Sequence, residues 1–211
     1  MMKYADLDLG TIEAVFNKLG GIEGAKDFLR TPNGLTVFER NKHGHVVVTI
    51  ISLSLSLTGA QEIQRLEAAG YKVGSYAKSC LISKAEDGYD KTHILVGGQS
   101  YSIALMPTKE IERDAERTTD NMRKLGMQYG YHKLRAGAMP RIREAVSNKQ
   151  MEEMGLWYVV GLHNPIKDSG GDPRVLAADR DVGGRWLGSH VVRPDDQWFG
   201  DGAFAFLAPA S

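Results

Sequence analysis

Residues 183–211, GGRWLGSHVVRPDDQWFGDGAFAFLAPAS, decide how the rest of the chain is read. Trp186 and Trp198 bracket a run of charges, small residues and valines, and an apolar run from Phe204 to Leu207 follows. RWLGSHVV (185–192) and AFAFLA (203–208) have the length and composition of strands, with Gly, Pro and Asp breaking the chain between them. Upstream, LWYVVGLH (156–163) and VLAAD (175–179) read the same way, and NPIKDSGGDPR between them is a loop. Short strands at this spacing predict an antiparallel meander over 156–211.

The part before Gly155 has a different texture. Residues 9–30 carry two apolar stripes, Ile12, Val15, Phe16, Leu19 and then Ile22, Ala25, Phe28, Leu29, around Gly20-Gly21, which predicts two short paired helices. Strands are expected over 35–39 and 45–55 with a turn at 41–44. Thr58 and Gln61 have the spacing of a capping box, opening a helix that runs to about Ala69, and a second helix is expected over 75–82. Further strands are predicted at His93–Val96 and Tyr101–Met106, and helices over 109–126, 139–146 and 148–154, the last capped by Ser147. The fold class expected is α+β: N-terminal helical hairpins with a small mixed sheet, then the C-terminal antiparallel meander. The division expected is a mixed α/β scaffold over 1–155 and a β-rich recognition segment over 156–211, with one continuous domain as the alternative.

The 211 residues are 42% hydrophobic and 25% charged, enough to bury a core. A formal net charge of zero argues against a strong non-specific nucleic-acid binder. The charge is uneven: residues 111–150 hold 9 Lys+Arg against 5 Asp+Glu, and residues 151–211 hold 5 against 9. A basic middle facing an acidic end allows pairing between them, within one fold or between copies of a homo-oligomer, with a solvated mix of charges as the favoured reading. Cys80 is the one cysteine, so no disulfide forms within the chain, and a buried, inert thiol is expected. MMKYADLDLG has no apolar core of signal-peptide length, and the run HVVVTIISLSLSL (45–57) is too short for a membrane span, so a cytoplasmic location is expected.

No stretch carries a catalytic signature. The six histidines are scattered, and His43 and His45 lack partners at zinc spacing, so no metal and no cofactor are expected. His163 and His190 lie on strands that can neighbour Asp168 or Asp179, but no nucleophile motif accompanies them, and an enzyme is the third-ranked reading. DSGGD (168–172) has the composition of a cation loop without its ligand count, and a plain hairpin turn explains it better. The basic residues Arg113, Arg117, Arg123, Lys124, Lys133, Arg135, Arg141 and Arg143 are suited to phosphates, and helix 75–82 offers Tyr76, Lys78 and Ser79 to a groove. Trp157 reads as core; Trp186 and Trp198 read as rings that anchor a scaffold while the residues between them face outward.

The segments MGLWYVVGLHNPIKDSGGDPRVL and RWLGSHVVRPDDQWFGDGAFAFLAP, with NKLGGIEGAKDFLR near the start, resemble a family of uncharacterised bacterial and phage-associated proteins. Its C-terminal half looks like that of the variable proteins of diversity-generating retroelements. The resemblance implies a C-type-lectin-like fold that displays variable residues to bind a ligand. It implies a framework of Trp186, Leu187, Pro194, Trp198, Gly202, Phe204 and Phe206. The ligand-binding positions it implies are Arg180, Asp181, Ser189, His190, Val191, Arg193, Asp195, Asp196, Phe199 and Asp201, with Val182, Val192 and Gly200 among them. Such retroelements alter adenines in Asn-type codons, which excludes Lys, Glu, Met, Gln and Trp from altered sites. After Lys167 the chain has no Lys, Glu or Met, and Gln197 and the tryptophans would be framework. The tail also has no Asn or Tyr, and it closes G-A-F-A-F where the family has G-F-A-F. The function expected is a non-enzymatic binding protein whose ligand is an unknown protein or surface molecule. The alternative is a mobile-element regulator or nucleic-acid-binding protein using the helical hairpins and residues 111–150.

Overall fold

The computed structural model describes residues 39–53 and 55–209, with Glu13 alone before them, in a helix. The chain divides into two compact units, Met1–Val37 and Phe38–Ser211. Apart from Glu13, the helix pair expected over 9–30 lies outside the described residues, as does most of the strand expected over 35–39.

A mixed sheet of nine strands organises the larger unit: β1 (Glu39–Arg40), β2 (Val46–Ile51), β3 (Lys72–Val73), β4 (Ser100–Pro107), β5 (Tyr158–Gly161), β6 (Ile166–Lys167), β7 (Pro173–Asp181), β8 (Gly184–Val191) and β9 (Gly202–Leu207). They lie in the order β1-β2-β4-β9-β5-β7-β8-β3, with β6 beside β7. The β5–β9 and β3–β8 pairings are parallel and the others antiparallel. The described helices are α1 (Gly59–Ala68), α2 (Ser75–Leu81), α3 (Tyr89–Thr92), α4 (Thr119–Gln128), α5 (Ala138–Ala145) and α6 (Asn148–Glu153).

The expected meander needs correction. β7 and β8 form a hairpin beside β5, but β9 does not continue beside β8. It crosses back and inserts between β4 and β5. Ala203, Phe204, Ala205 and Phe206 are all buried, so the strand is apolar on both faces, and an edge position beside β8 would leave one of those faces in water. The change of texture at Gly155 falls inside the larger unit. β9 pairs with β4 and β8 with β3 across that point.

Local chemistry explains the other differences. Thr58 and Gln61 form the expected capping box on α1, and Ser147 and Gln150 form a second on α6. The long helix expected over 109–126 is two short 3-10 turns, Thr108–Glu110 and Asp114–Glu116, followed by α4, because the Thr118 side chain accepts from the Asn121 amide and starts the helix there. His93–Val96 is not a strand. Its carbonyls accept instead from the Gly137 amide, the Arg135 guanidinium and the Ser56 hydroxyl, which spends the groups a ladder would need.

The sheet separates two buried clusters. On the back, Leu176, Ala178, Leu187, Val159, Ala203 and Ala205 meet Leu66 of α1, Ala77 and Leu81 of α2, Ile142 of α5 and Met151 of α6. On the front, Val160, Val175, Ala177, Phe204 and Phe206 meet Met122 of α4 together with Tyr131, Tyr158 and Trp198. The helices of the back layer come very close: a Cβ on Gly59 would sit 1.8 Å from the Leu81 carbonyl oxygen. A Gly59→Ala substitution is therefore expected to cost about 1–3 kcal/mol of stability. Urea unfolding of the variant checks this, and an unchanged midpoint would contradict the tight α1–α2 contact.

Candidate functional site

The front face is covered by α4 at its β4–β9 side and is half-open over β7 and β8. One row of residues crosses five strands there: Gly202 pairs with Tyr158, Tyr158 with Asp179, Asp179 with Trp186, and Trp186 with Lys72. Two glycines make room for the larger side chains. The Tyr158 ring lies over Gly202, 2.1 Å from where its Cβ would be, and the Asp179 carboxylate lies over Gly188, 1.8 Å from its missing Cβ. Lying across Gly188, Asp179 reaches His190, with Nε2 to Oδ1 at 3.1 Å. The His190 ring is 5.6 Å from that of Tyr158 and 5.8 Å from that of Trp198. The Asp179 and His190 side chains are 27% and 39% exposed, so this carboxylate–imidazole pair is open to a partner.

The loop between β8 and β9 is fixed by the segment that enters α4. The Trp198 amide donates to the Arg117 carbonyl at 2.9 Å, and its indole N–H donates to the Thr119 hydroxyl at 2.9 Å. The amides of Thr119 and Asp120 donate to the carbonyls of Asp196 and Pro194. Asp196 accepts from the Arg193 amide at 2.7 Å, and the Arg193 guanidinium pairs with Asp172 at 3.0 Å. The Phe199 carbonyl accepts from the hydroxyls of Thr108, at 2.6 Å, and Tyr158, at 2.9 Å. Its backbone is locked while its ring is 80% exposed.

The ten expected binding positions divide between two sides. His190 and Asp181 belong to the front by register, and Arg193, Asp195, Asp196, Phe199 and Asp201 stand on the loop beside it. Arg180, Ser189 and Val191 alternate to the back. There Arg180 stacks on Trp157 at 4.1 Å and pairs with Glu152. None of the ten is buried. Val192, read as lying among them, is buried. Of the anchors, Trp198, Phe204 and Phe206 are buried, whereas Trp186 is half-exposed beneath the Lys72 ammonium. Trp157, expected in the core, is 49% exposed because it stands just before β5, where only Arg180 covers it.

Tyr158 and Lys72 were not among the expected site residues, and Asp179 was foreseen only as a neighbour of His190. The isolated glycines at 188 and 202 inside strand sequences were the available signal of a close side-chain approach.

The histidines weighed for the third-ranked, enzymatic reading differ from one another. His163 is fully buried; its Nε2 accepts from the Leu176 amide at 2.9 Å, so Nδ1 carries the proton and donates to the Asn164 carbonyl at 2.6 Å. Asp168 is not its partner: that carboxylate accepts from the Gly170 and Asp172 amides and from Arg174, the bonding of a turn and not of a cation loop. Burial, reinforced by the neighbouring His93 ring, lowers the His163 pKa to about 3, and burial lowers His93 to about 4. His45 is buried between Tyr131 and Glu110, and among the described residues no group of His, Cys, Asp and Glu is placed to hold a metal. Cys80 is buried, which pushes its thiol up to about 12.

The basic segment does not form a stripe. Arg117, Arg141 and Arg143 are buried. Arg141 is held by Glu62 and Glu144, and Arg143 by the Val146 carbonyl and Asn148. Within the chain, among the described residues, only the ion pair Lys149–Glu153, within α6, joins the basic segment to the acidic end. On α2, Arg174 covers Tyr76, Glu67 pairs with Lys78, and Ser79 accepts from the Ser169 amide. No helix of the described residues is long and apolar enough to cross a membrane. No family model matches the chain, and neither a curated protein nor a solved structure is similar to it.

The lowered pKa values fix an acid sensitivity. Below pH 6.5 the unfolded chain takes up protons that native His93 and His163 refuse, so stability falls with pH until about 4 to 3. Between pH 7 and pH 5 each histidine is expected to remove about 2 kcal/mol. Urea unfolding across that window measures the loss, and a flat profile would contradict their burial in the neutral form.

Proposed function

We propose that the protein is a non-enzymatic binding protein whose front face and β8–β9 loop form a diversifiable recognition surface, as in the variable proteins of retroelements. The observation that carries this reading is the division of residues in the tail. All ten proposed binding positions are exposed or half-exposed, while Trp198, Phe204 and Phe206 are buried beneath the front face, which seven of the ten share or adjoin. A surface that changes its ligand must keep its fold through the change, and exposed substitutions shift stability by only about 0.5 kcal/mol or less.

The lectin-like form of the reading is supported by the closed course of this half: β4 and β9 lie side by side, with α4, α5, α6, β5, β7 and β8 between them in sequence. The locked backbone and free ring of Phe199 are the form a binding anchor takes. The non-enzymatic part of the reading is supported by the surroundings of the Asp179–His190 pair, which are aromatic rings and glycine.

Two outcomes are expected. Simultaneous substitution of Asp181, Arg193, Asp195, Phe199 and Asp201 leaves the thermal midpoint nearly unchanged, whereas Trp198→Ala costs about 3–5 kcal/mol; a collapse of the multiple variant defeats the display reading. Sequencing the DNA around this coding region is expected to find a near-copy of the segment for residues 175–211 beside a reverse-transcriptase gene, differing mainly where the copy carries adenine. Without such a copy the retroelement part of the reading fails.

A further inference from the structure

We infer that the front face takes a cationic side chain, an arginine presented by a protein partner, with Asp179 as its anchor. This rests on the reading of that face as a recognition surface and names the chemistry of what it recognises.

Asp179 holds a half-exposed carboxylate in the middle of the sheet. Oδ1 is engaged by His190, while Oδ2 lies over Gly188 with no cation within salt-bridge distance among the described residues. The Asp179 side chain fills the space over Gly188 and keeps 27% of its surface exposed, so the carboxylate accepts a donor from above the sheet. The flanking groups are flat and aromatic: Trp186 is its direct cross-strand neighbour on one side and Tyr158 on the other. Phe199 stands out into solvent on a backbone that the Tyr158 hydroxyl itself fixes. A guanidinium is the group that satisfies both features at once, because it donates in a plane to a carboxylate and stacks its face on a ring. The sheet already carries this stacking in Arg180 on Trp157 and Arg185 on Tyr71.

The surrounding charge favours the same occupant. Asp181, Asp195 and Asp201 are exposed on the rim and have no ion pair among the described residues. Of the nearby cations among the described residues, Arg193 is held by Asp172 and Arg117 by the carbonyls of Ile111 and Glu112 and by Asp114, while Lys72, over Trp186, keeps its charge. Asp179, Asp181, Asp195 and Asp201 outnumber that one free cation, so the face is negative on balance around an aromatic centre, which attracts a cation and repels an acid.

The test uses the full chain and a minimal probe, N-acetyl-arginine amide, followed by NMR of the His190 ring and the tryptophan indoles. The expected result is a saturable shift at His190 and Trp186, with no matching shift from N-acetyl-glutamate amide. Asp179→Asn is expected to weaken the arginine probe about tenfold, the loss of one charge-assisted contact. Phe199→Ala, whose ring is exposed and whose fold is not at risk, is expected to weaken it about threefold. Absence of a saturable shift in the wild type overturns the inference, and so does an Asp179→Asn protein that keeps its thermal midpoint and binds the probe as the wild type does. Either failure leaves the tolerance of the rim to substitution unaffected, so the class of partner and the display reading fall separately.

Discussion

The structure depends on one strand, β9, held between β4 and β5 with both of its faces buried. Its two faces make different demands. Alanines at 203 and 205 keep the back surface low beneath the helical layer, and Phe204 and Phe206 fill the front. Phe206 then fixes α4, because Gly126 of that helix lies so close to its ring that a Cβ there would be 2.5 Å away. Once α4 is placed, the residues leading into it hold the 194–198 backbone and the Trp198 indole. Gly202, at the start of the same strand, gives Tyr158 its place, and the Tyr158 hydroxyl holds Phe199. The exposed recognition residues are thus the last link of a chain of contacts that begins in the most buried strand. A binding surface built this way is pre-organised, so little ordering cost remains when a partner arrives.

The same arrangement explains what was legible in the sequence and what was not. The β7–β8 hairpin, α1 with its capping box and α6 with its own were readable because each is set by residues close together in the chain. The position of β9 was not, since nothing within AFAFLA says that its partners are 44 to 104 residues away; only its lack of a polar face hinted at a central place. Trp157 was misread for a related reason. The apolar run around it belongs to β5, but the alternation that buries Tyr158 on the front turns the tryptophan to the other side, where it stacks with the half-exposed Arg180. The ten site positions came from the resemblance, spread over residues 180–201, and strand alternation sends Arg180, Ser189 and Val191 to the other side.

Asp179 and His190 show the limit most clearly. They lie 11 residues apart on adjacent strands, and in register His190 is opposite Val175, not Asp179. Cross-strand pairing alone would not join them. The contact forms because Gly188, which lies between them on β8, has no side chain and lets the carboxylate lie along the sheet. A glycine that would otherwise weaken a strand here supplies the site's geometry.

Zero net charge conceals an electrostatic asymmetry that follows from where the ion pairs form. The buried Glu62 draws in Arg65 and Arg141, and Glu144 engages both of those arginines again, so cations of the middle segment are consumed within the helical layer. A buried carboxylate cannot be left alone, whereas an exposed one can, because water solvates it. The acids of the last strands are exposed, and the fold therefore has no need to neutralise them. The cations settle where burial demands them, and the surface around Asp179 is left negative as a consequence.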